Sequence, residues 1–96
     1  MLNESSQPCV MCGRVTRRGN TRHHLIPRTC HKNRWFKKRF TRDEMNSTID
    51  VCHDCHLCIH RVVPREKDLG RHFNTLDLLL AHPEISKFVQ WVSGQR

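Results

Sequence analysis

Long hydrophobic stretches are missing from this sequence, and apolar residues are scarce throughout it. Hydrophobic residues make up only 36% of the chain, and its uninterrupted apolar runs are no longer than Leu78–Ala81. A helix that spans a bilayer needs about 20 such residues in succession. The first residues, MLNESSQPC, also lack the basic-then-apolar order of a secretory signal peptide. We therefore expect a protein that is neither inserted into a membrane nor exported, and we predict a cytoplasmic location.

The apolar content is also low for a chain of 96 residues. A domain of this size buries only about 60–65% of the surface that its unfolded chain exposes, and small cores are often stabilised by disulfides or a metal. The sequence provides six cysteines and eight histidines for that purpose. Because the predicted compartment is reducing, these residues favour a zinc site over a disulfide framework. Because a chain of this length is the size of one domain, residues 1–96 are predicted to form a single domain.

Acidic residues are absent between Glu4 and Asp43, although the whole chain contains nine of them against 17 Lys and Arg. A field of one sign attracts a polyanion, and nucleic acid is the polyanion that this composition favours. The alternative is a solvated basic face that only keeps the protein soluble. We predict DNA as the partner, with RNA left open, and no membrane contact. The predicted nucleic-acid-binding residues are Arg22, Arg28, Lys32, Arg34, Lys37, Lys38 and Arg39.

Two Cys-x-x-Cys pairs, Cys9/Cys12 and Cys52/Cys55, provide four thiolates for a closed tetrahedral zinc site of the structural kind. Gly13 follows the first pair and helps the chain to turn there, as in a zinc knuckle. One ion would tie two distant segments together and add stability that the small core lacks. The remaining thiols, at positions 30 and 58, are interpreted as buried small hydrophobes or free thiols, with the second as a substitute ligand.

The local patterns predict a small α+β fold. Gly19-Asn20 is typical of a turn between strands at residues 14–18 and 21–26. The basic insertion Arg28–Met45 is interpreted as a loop with at most one helix, whose aromatic residues either pack in the core or stack on bases. A β-prone run at residues 48–51 precedes a helix that continues to about residue 63. Short helices are expected at residues 76–81, capped by Thr75, and at residues 84–92, with Pro83 in the first turn.

Histidines form a second group beside the predicted zinc site. His23 and His24 end a predicted strand, while His56 and His60 lie four residues apart on one helical face. Because neighbours on a strand point to opposite sides, one of the first pair can bind a metal with the helical pair while the other faces a reacting water. Three imidazoles leave coordination positions open, as catalysis requires. The alternative interpretation is a set of surface or core histidines.

The order of these motifs resembles that of the HNH endonucleases. These enzymes have the ββα-metal fold, and many members have an added four-cysteine zinc site. The resemblance rests on His23-His24-Leu25-Ile26-Pro27, then Ser47–Val51, then Cys52-x-x-Cys55-His56-x-x-x-His60. It implies a ββα-metal core at residues 9–62, stapled by zinc, with a C-terminal extension of short helices at residues 65–96. The implied activity is metal-dependent hydrolysis of DNA phosphodiester bonds, leaving 5′-phosphate and 3′-hydroxyl ends.

The same resemblance implies the roles of single residues. His24 corresponds to the general base, and His23, His56 and His60 correspond to ligands of a second divalent metal, Mg²⁺, Mn²⁺, Ni²⁺ or Zn²⁺. The asparagine that orients the base in this family falls at Ser47, with Asn46 one residue earlier. Either Asn46 acts through a shift of register, or Ser47 or its neighbour at position 48 replaces it. The alternatives are a non-catalytic, zinc-dependent nucleic-acid-binding module and a zinc-organised adaptor for other proteins.

Overall fold

The computed structural model describes residues 7–95, which form a small α+β structure. None of the helices in this part of the chain has the length and apolar character that a bilayer crossing needs. The elements in chain order are β1 (Asn20–His24), a short 3₁₀ helix (Arg28–Cys30), α1 (Arg34–Arg39), α2 (Arg42–Met45), β2 (Thr48–Cys52), α3 (His53–Val62), α4 (Glu66–His72), α5 (Leu76–Ala81) and α6 (Pro83–Val92).

The sheet consists of β1 and β2, which pair antiparallel with Thr21 opposite Val51 and His24 opposite Thr48. The predicted hairpin was therefore wrong, because residues 14–18 form no strand and the partner of β1 comes from residues 48–52. Gly19 has the positive φ of 75° expected of a turn glycine. The β-branched run of β2 buries apolar side chains on the sheet, whereas the segment at residues 14–18 is strongly charged and its one apolar side chain, Val15, is exposed.

The basic insertion is more helical than the sequence predicts. The side chain of Asn33 accepts a hydrogen bond from the backbone N–H of Trp35 and begins α1, and Thr41 forms a capping box with Glu44 that begins α2. Phe36 is fully buried and forms a second small core together with Ile26, Cys30 and Met45. At least this aromatic side chain therefore belongs to the core, and the insertion is a folded layer rather than a loop.

The main core lies between α3 and the C-terminal helices. Ile59 and Cys58 on α3 are buried against Leu79 on α5 and Ile85 on α6. Two sequence predictions are confirmed, since the Thr75 hydroxyl accepts a hydrogen bond from the backbone N–H of residue 78, and α6 begins with proline at its first position. The C-terminal helices therefore supply the apolar support that holds α3 in place beneath the sheet.

Candidate metal centres

The first candidate centre is the cluster Cys9, Cys12, Cys52 and Cys55, whose Sγ atoms all lie within 4.8 Å of one another. The first pair lies in a tight turn, where Gly13 has a φ of 78° and the Cys9 Sγ accepts hydrogen bonds from backbone N–H groups at 3.4 and 3.5 Å. The second pair lies at the start of α3, where the Cys52 Sγ accepts a hydrogen bond from the Cys55 N–H. All four are free thiols. The set is the predicted four-cysteine donor group and is compatible with a structural zinc ion.

Crowding of the four thiols makes their ionisation unequal. A hydrogen bond from the Cys55 thiol lowers the pKa of Cys9 to about 4, although burial opposes this. The same bond and burial raise the pKa of Cys55. Four neighbouring thiolates repel one another in a buried site, and a bound dication offsets that repulsion. The donor chemistry therefore fits zinc.

Arg14 lies against this cluster. Its guanidinium donates to the Cys52 Sγ at 3.5 Å and pairs with Asp54 at 3.0 Å, while its side chain is only 13% exposed. Each group that Arg14 touches carries or can carry negative charge, so its cation lies where a zinc-thiolate cluster would concentrate negative charge. Sequence reasoning missed this residue because its partners are 38 and 40 positions away along the chain.

The second candidate centre brings His23 together with His56 and His60, and one ring nitrogen from each lies within 4.8 Å of the others. The ring centroid of His23 is 5.2 Å from that of His56 and 5.4 Å from that of His60. The structure thus unites the three residues that the sequence analysis assigned to a second metal. His23 lies near the end of β1, and His56 and His60 lie on successive turns of α3.

His23 provides the strongest test of whether a metal fits this cluster. Its side chain is 1% exposed, and within the described residues neither ring nitrogen has a hydrogen-bond partner. Burial, reinforced by the nearby imidazoles of His56, His60 and His24, lowers its pKa to about 4. The ring is therefore neutral at pH 7 and keeps a lone pair on one nitrogen. A buried polar atom without a partner costs free energy, and coordination of a metal would remove that cost.

The histidine cluster opens into a cleft of about 170 Å³ lined by Arg22, His24, Arg28 and Glu66 as well as by the cluster itself. Because Arg22 and His24 are two residues apart on β1, they share a face of the strand. Burial, followed by electrostatic interactions with Arg28, His31 and Arg22, lowers the pKa of His24. The cleft thus combines three grouped imidazoles, a further imidazole and two guanidiniums.

Ser47 contacts the residue that follows β1 through its backbone. The carbonyl oxygen of Ser47 accepts a hydrogen bond from the N–H of Leu25, the residue after His24, at 3.1 Å. The Ser47 hydroxyl instead donates to the carbonyl of residue 43, and Asn46 ends α2. Among the hydrogen bonds of residues 7–95, no side-chain bond joins either residue to His24. A different histidine, His31, lies near it, with ring centroids 6.5 Å apart.

The basic residues predicted to bind nucleic acid are exposed. Trp35, which lies among them on α1, is covered by guanidiniums: Arg39 lies 4.1 Å and Arg71 4.8 Å from the centre of its ring. This ring therefore joins α1 to α4 rather than offering an uncovered stacking surface. The exposed predicted residues are Arg22, Arg28, Lys32, Arg34, Lys37, Lys38 and Arg39.

Comparisons with protein-family models, with curated proteins and with solved structures give no match for this chain. The geometry of the two centres and the charges around them therefore provide the basis for assigning a function.

Proposed function

We propose that this protein is a metal-dependent endonuclease of the HNH type that hydrolyses phosphodiester bonds in DNA. The observation that carries the proposal is the buried His23 ring, whose two nitrogens have no hydrogen-bond partner among residues 7–95 and which lies beside His56 and His60 at the base of a cleft. The element order β1, β2, α3, with α1 and α2 inserted between the strands and histidines on β1 and α3, agrees with a ββα-metal core. The cysteine cluster serves as the structural zinc site in this proposal.

Each part of the cleft has a distinct task in the proposed reaction. A divalent ion held by His23, His56 and His60 would supply Lewis-acid stabilisation of the charge on the phosphate and on the leaving oxygen. His24 lies in the same cleft but outside the ligand group, and as a neutral imidazole it would accept the proton of the attacking water on a ring nitrogen. Arg22 and Arg28 flank the cleft and would orient the phosphate through charge-assisted hydrogen bonds.

Nicking of supercoiled plasmid tests this proposal. The zinc-loaded protein would be assayed with added Mg²⁺, Mn²⁺ or Ni²⁺ beside His24→Ala purified in the same way. His72→Ala is a matched control, because this exposed histidine on α4 does not line the cleft. We expect metal-dependent nicking by the unsubstituted protein and by the control, and at least about a hundredfold loss in His24→Ala, as general-base removal typically causes. Full activity in His24→Ala would reject this residue as the base.

One observation favours a second candidate, a non-catalytic nucleic-acid-binding module. Within the described residues, His24 receives no side-chain hydrogen bond from Asn46 or Ser47, so neither of these side chains orients the imidazole as a general base requires. This candidate predicts binding to DNA without cleavage. For B-DNA, Lys37→Gln or Lys38→Gln would then reduce the slope of log affinity against log salt by about 0.9 for each phosphate that the variant no longer neutralises. Failure to bind any nucleic acid at low salt would reject both candidates.

A further inference from the structure

Thr21 links the sheet to the helix that carries most of the histidine cluster. Its Oγ1 lies 2.7 Å from Nδ1 of His56 on α3 and 3.3 Å from the carbonyl oxygen of Val51 on β2. Val51 is also its direct partner in the antiparallel ladder. Because Thr21 precedes His23 by two residues on β1, both side chains lie on the same face of the strand. The hydroxyl therefore lies beside the cluster without belonging to it.

The two contacts together determine where the protons lie. The Val51 carbonyl can only accept, so the single hydroxyl proton of Thr21 is donated to it. The contact with His56 then requires Nδ1–H of the imidazole to donate to Thr21 Oγ1. A neutral imidazole carries only one proton, so Nε2 of His56 keeps its lone pair. With Nδ1 engaged, Nε2 is the nitrogen that His56 offers to the cluster.

We propose that Thr21 is a positioning residue for the metal centre, because its hydroxyl holds His56 in the Nδ1–H tautomer with Nε2 available for coordination. This inference rests on the metal site of the proposed function. Histidine ligands of metals generally donate their second ring nitrogen to such an outer partner, and removing the partner typically weakens metal binding about 10–100-fold. Thr21 acts only through His56 and has no assigned contact with a substrate.

The test compares Thr21→Val, which keeps the shape and β-branching of threonine but removes the hydroxyl, with Thr21→Ser, which keeps the hydroxyl. Thr16→Val is the matched control, since the Thr16 hydroxyl also donates to a backbone carbonyl, that of Gly19 at 3.3 Å. Neither Thr16 nor Gly19 lines the histidine cleft. Two quantities are measured on zinc-loaded protein: the affinity for Ni²⁺ by titration calorimetry, and the His56 tautomer by ¹⁵N NMR before Ni²⁺ is added.

We expect Thr21→Val to bind Ni²⁺ about 10–100-fold more weakly and to lose the pure Nδ1–H signature of His56, while Thr21→Ser and Thr16→Val stay within about threefold of the unsubstituted protein. Unchanged Ni²⁺ affinity in Thr21→Val would overturn the inference but leave the proposed metal site standing. An Nε2–H tautomer in the unsubstituted protein would also overturn it. Absence of any Ni²⁺ binding by the unsubstituted protein would overturn the inference and the proposed metal site together.

Discussion

Substitution of Cys52 tests whether this residue is a zinc ligand or an ordinary structural residue. This side chain is fully buried at the junction of β2 and α3, where its Sγ approaches that of Cys12 at 3.7 Å and accepts the Cys55 N–H at 3.4 Å. It therefore occupies two roles at once, as a member of the cysteine cluster and as the N-cap of α3. The free energies associated with the two roles differ by about an order of magnitude, so a stability measurement can distinguish them.

Loss of the N-cap alone costs about 0.5–2 kcal/mol. Loss of a structural zinc removes apparent binding free energy of about 10–16 kcal/mol, as found for zinc-finger peptides. The second figure matches or exceeds the whole stability of a typical domain, about 5–15 kcal/mol. We therefore expect Cys52→Ala to be largely unfolded at 25 °C. We expect the same of Cys52→Ser, although serine is a good N-cap and would preserve α3 if capping were the only role of Cys52.

The assay combines circular dichroism melting with zinc content measured on the purified protein. Cys58→Ala is the matched control, because Cys58 is an equally buried thiol on α3 that lies outside the cluster. This control should keep one zinc per chain and a cooperative melt, with the modest loss of stability that small core truncations cause. A cooperative melt of Cys52→Ser at the temperature of the unsubstituted protein would refute the zinc assignment.

Two further predictions concern the surroundings of the centres. Arg14→Gln should release zinc to a chromogenic chelator roughly tenfold faster or more, because it removes the cation that contacts the Cys52 thiol. Substitution of the exposed Arg18, Arg18→Gln, is its control, and equal rates of zinc release in the two variants would contradict the expectation. Gly70→Ala should lower the melting temperature, because the new Cβ would lie 2.7 Å from the buried Phe36 ring, and overpacking of about 1–3 kcal/mol outweighs the helix propensity gained. Gly94→Ala meets only ordinary contacts, and an equal drop there would contradict the steric argument.

The parts of the site that depend on fixed short spacing could be predicted from the sequence. A Cys-x-x-Cys pair brings two thiols to one ion, and histidines four apart share a helical face, so the cysteine pairs and the helical histidine pair follow from local rules. The strand partner of β1 could not be predicted in the same way. Gly19 adopts the expected turn conformation, but the ladder partners of β1 lie 24 to 32 positions later in the chain, beyond the reach of local rules.

The helices of the basic insertion could not be predicted from the sequence, for a different reason. With six and four residues, α1 and α2 are too short to display a hydrophobic period. Their capping residues, Asn33 and Thr41, were the available signal. The contacts of Thr21 with His56 and of Arg14 with Cys52 join residues 35 and 38 positions apart, so only the folded chain reveals them.

Both candidate centres take ligands from α3. We expect the histidine centre to depend on the cysteine centre, but not the reverse. Cys55 and His56 are successive residues of α3, so the helix directs one side chain to the cysteine cluster and the next to the histidine cluster. The thiols and Arg14 join the start of α3 to the amino-terminal turn, whereas the exposed His60 contributes little to packing. His60→Ala should therefore keep its zinc and lose Ni²⁺ binding, whereas Cys52→Ser should lose both. Retention of Ni²⁺ binding at the histidine cluster in Cys52→Ser would show that the two centres form independently.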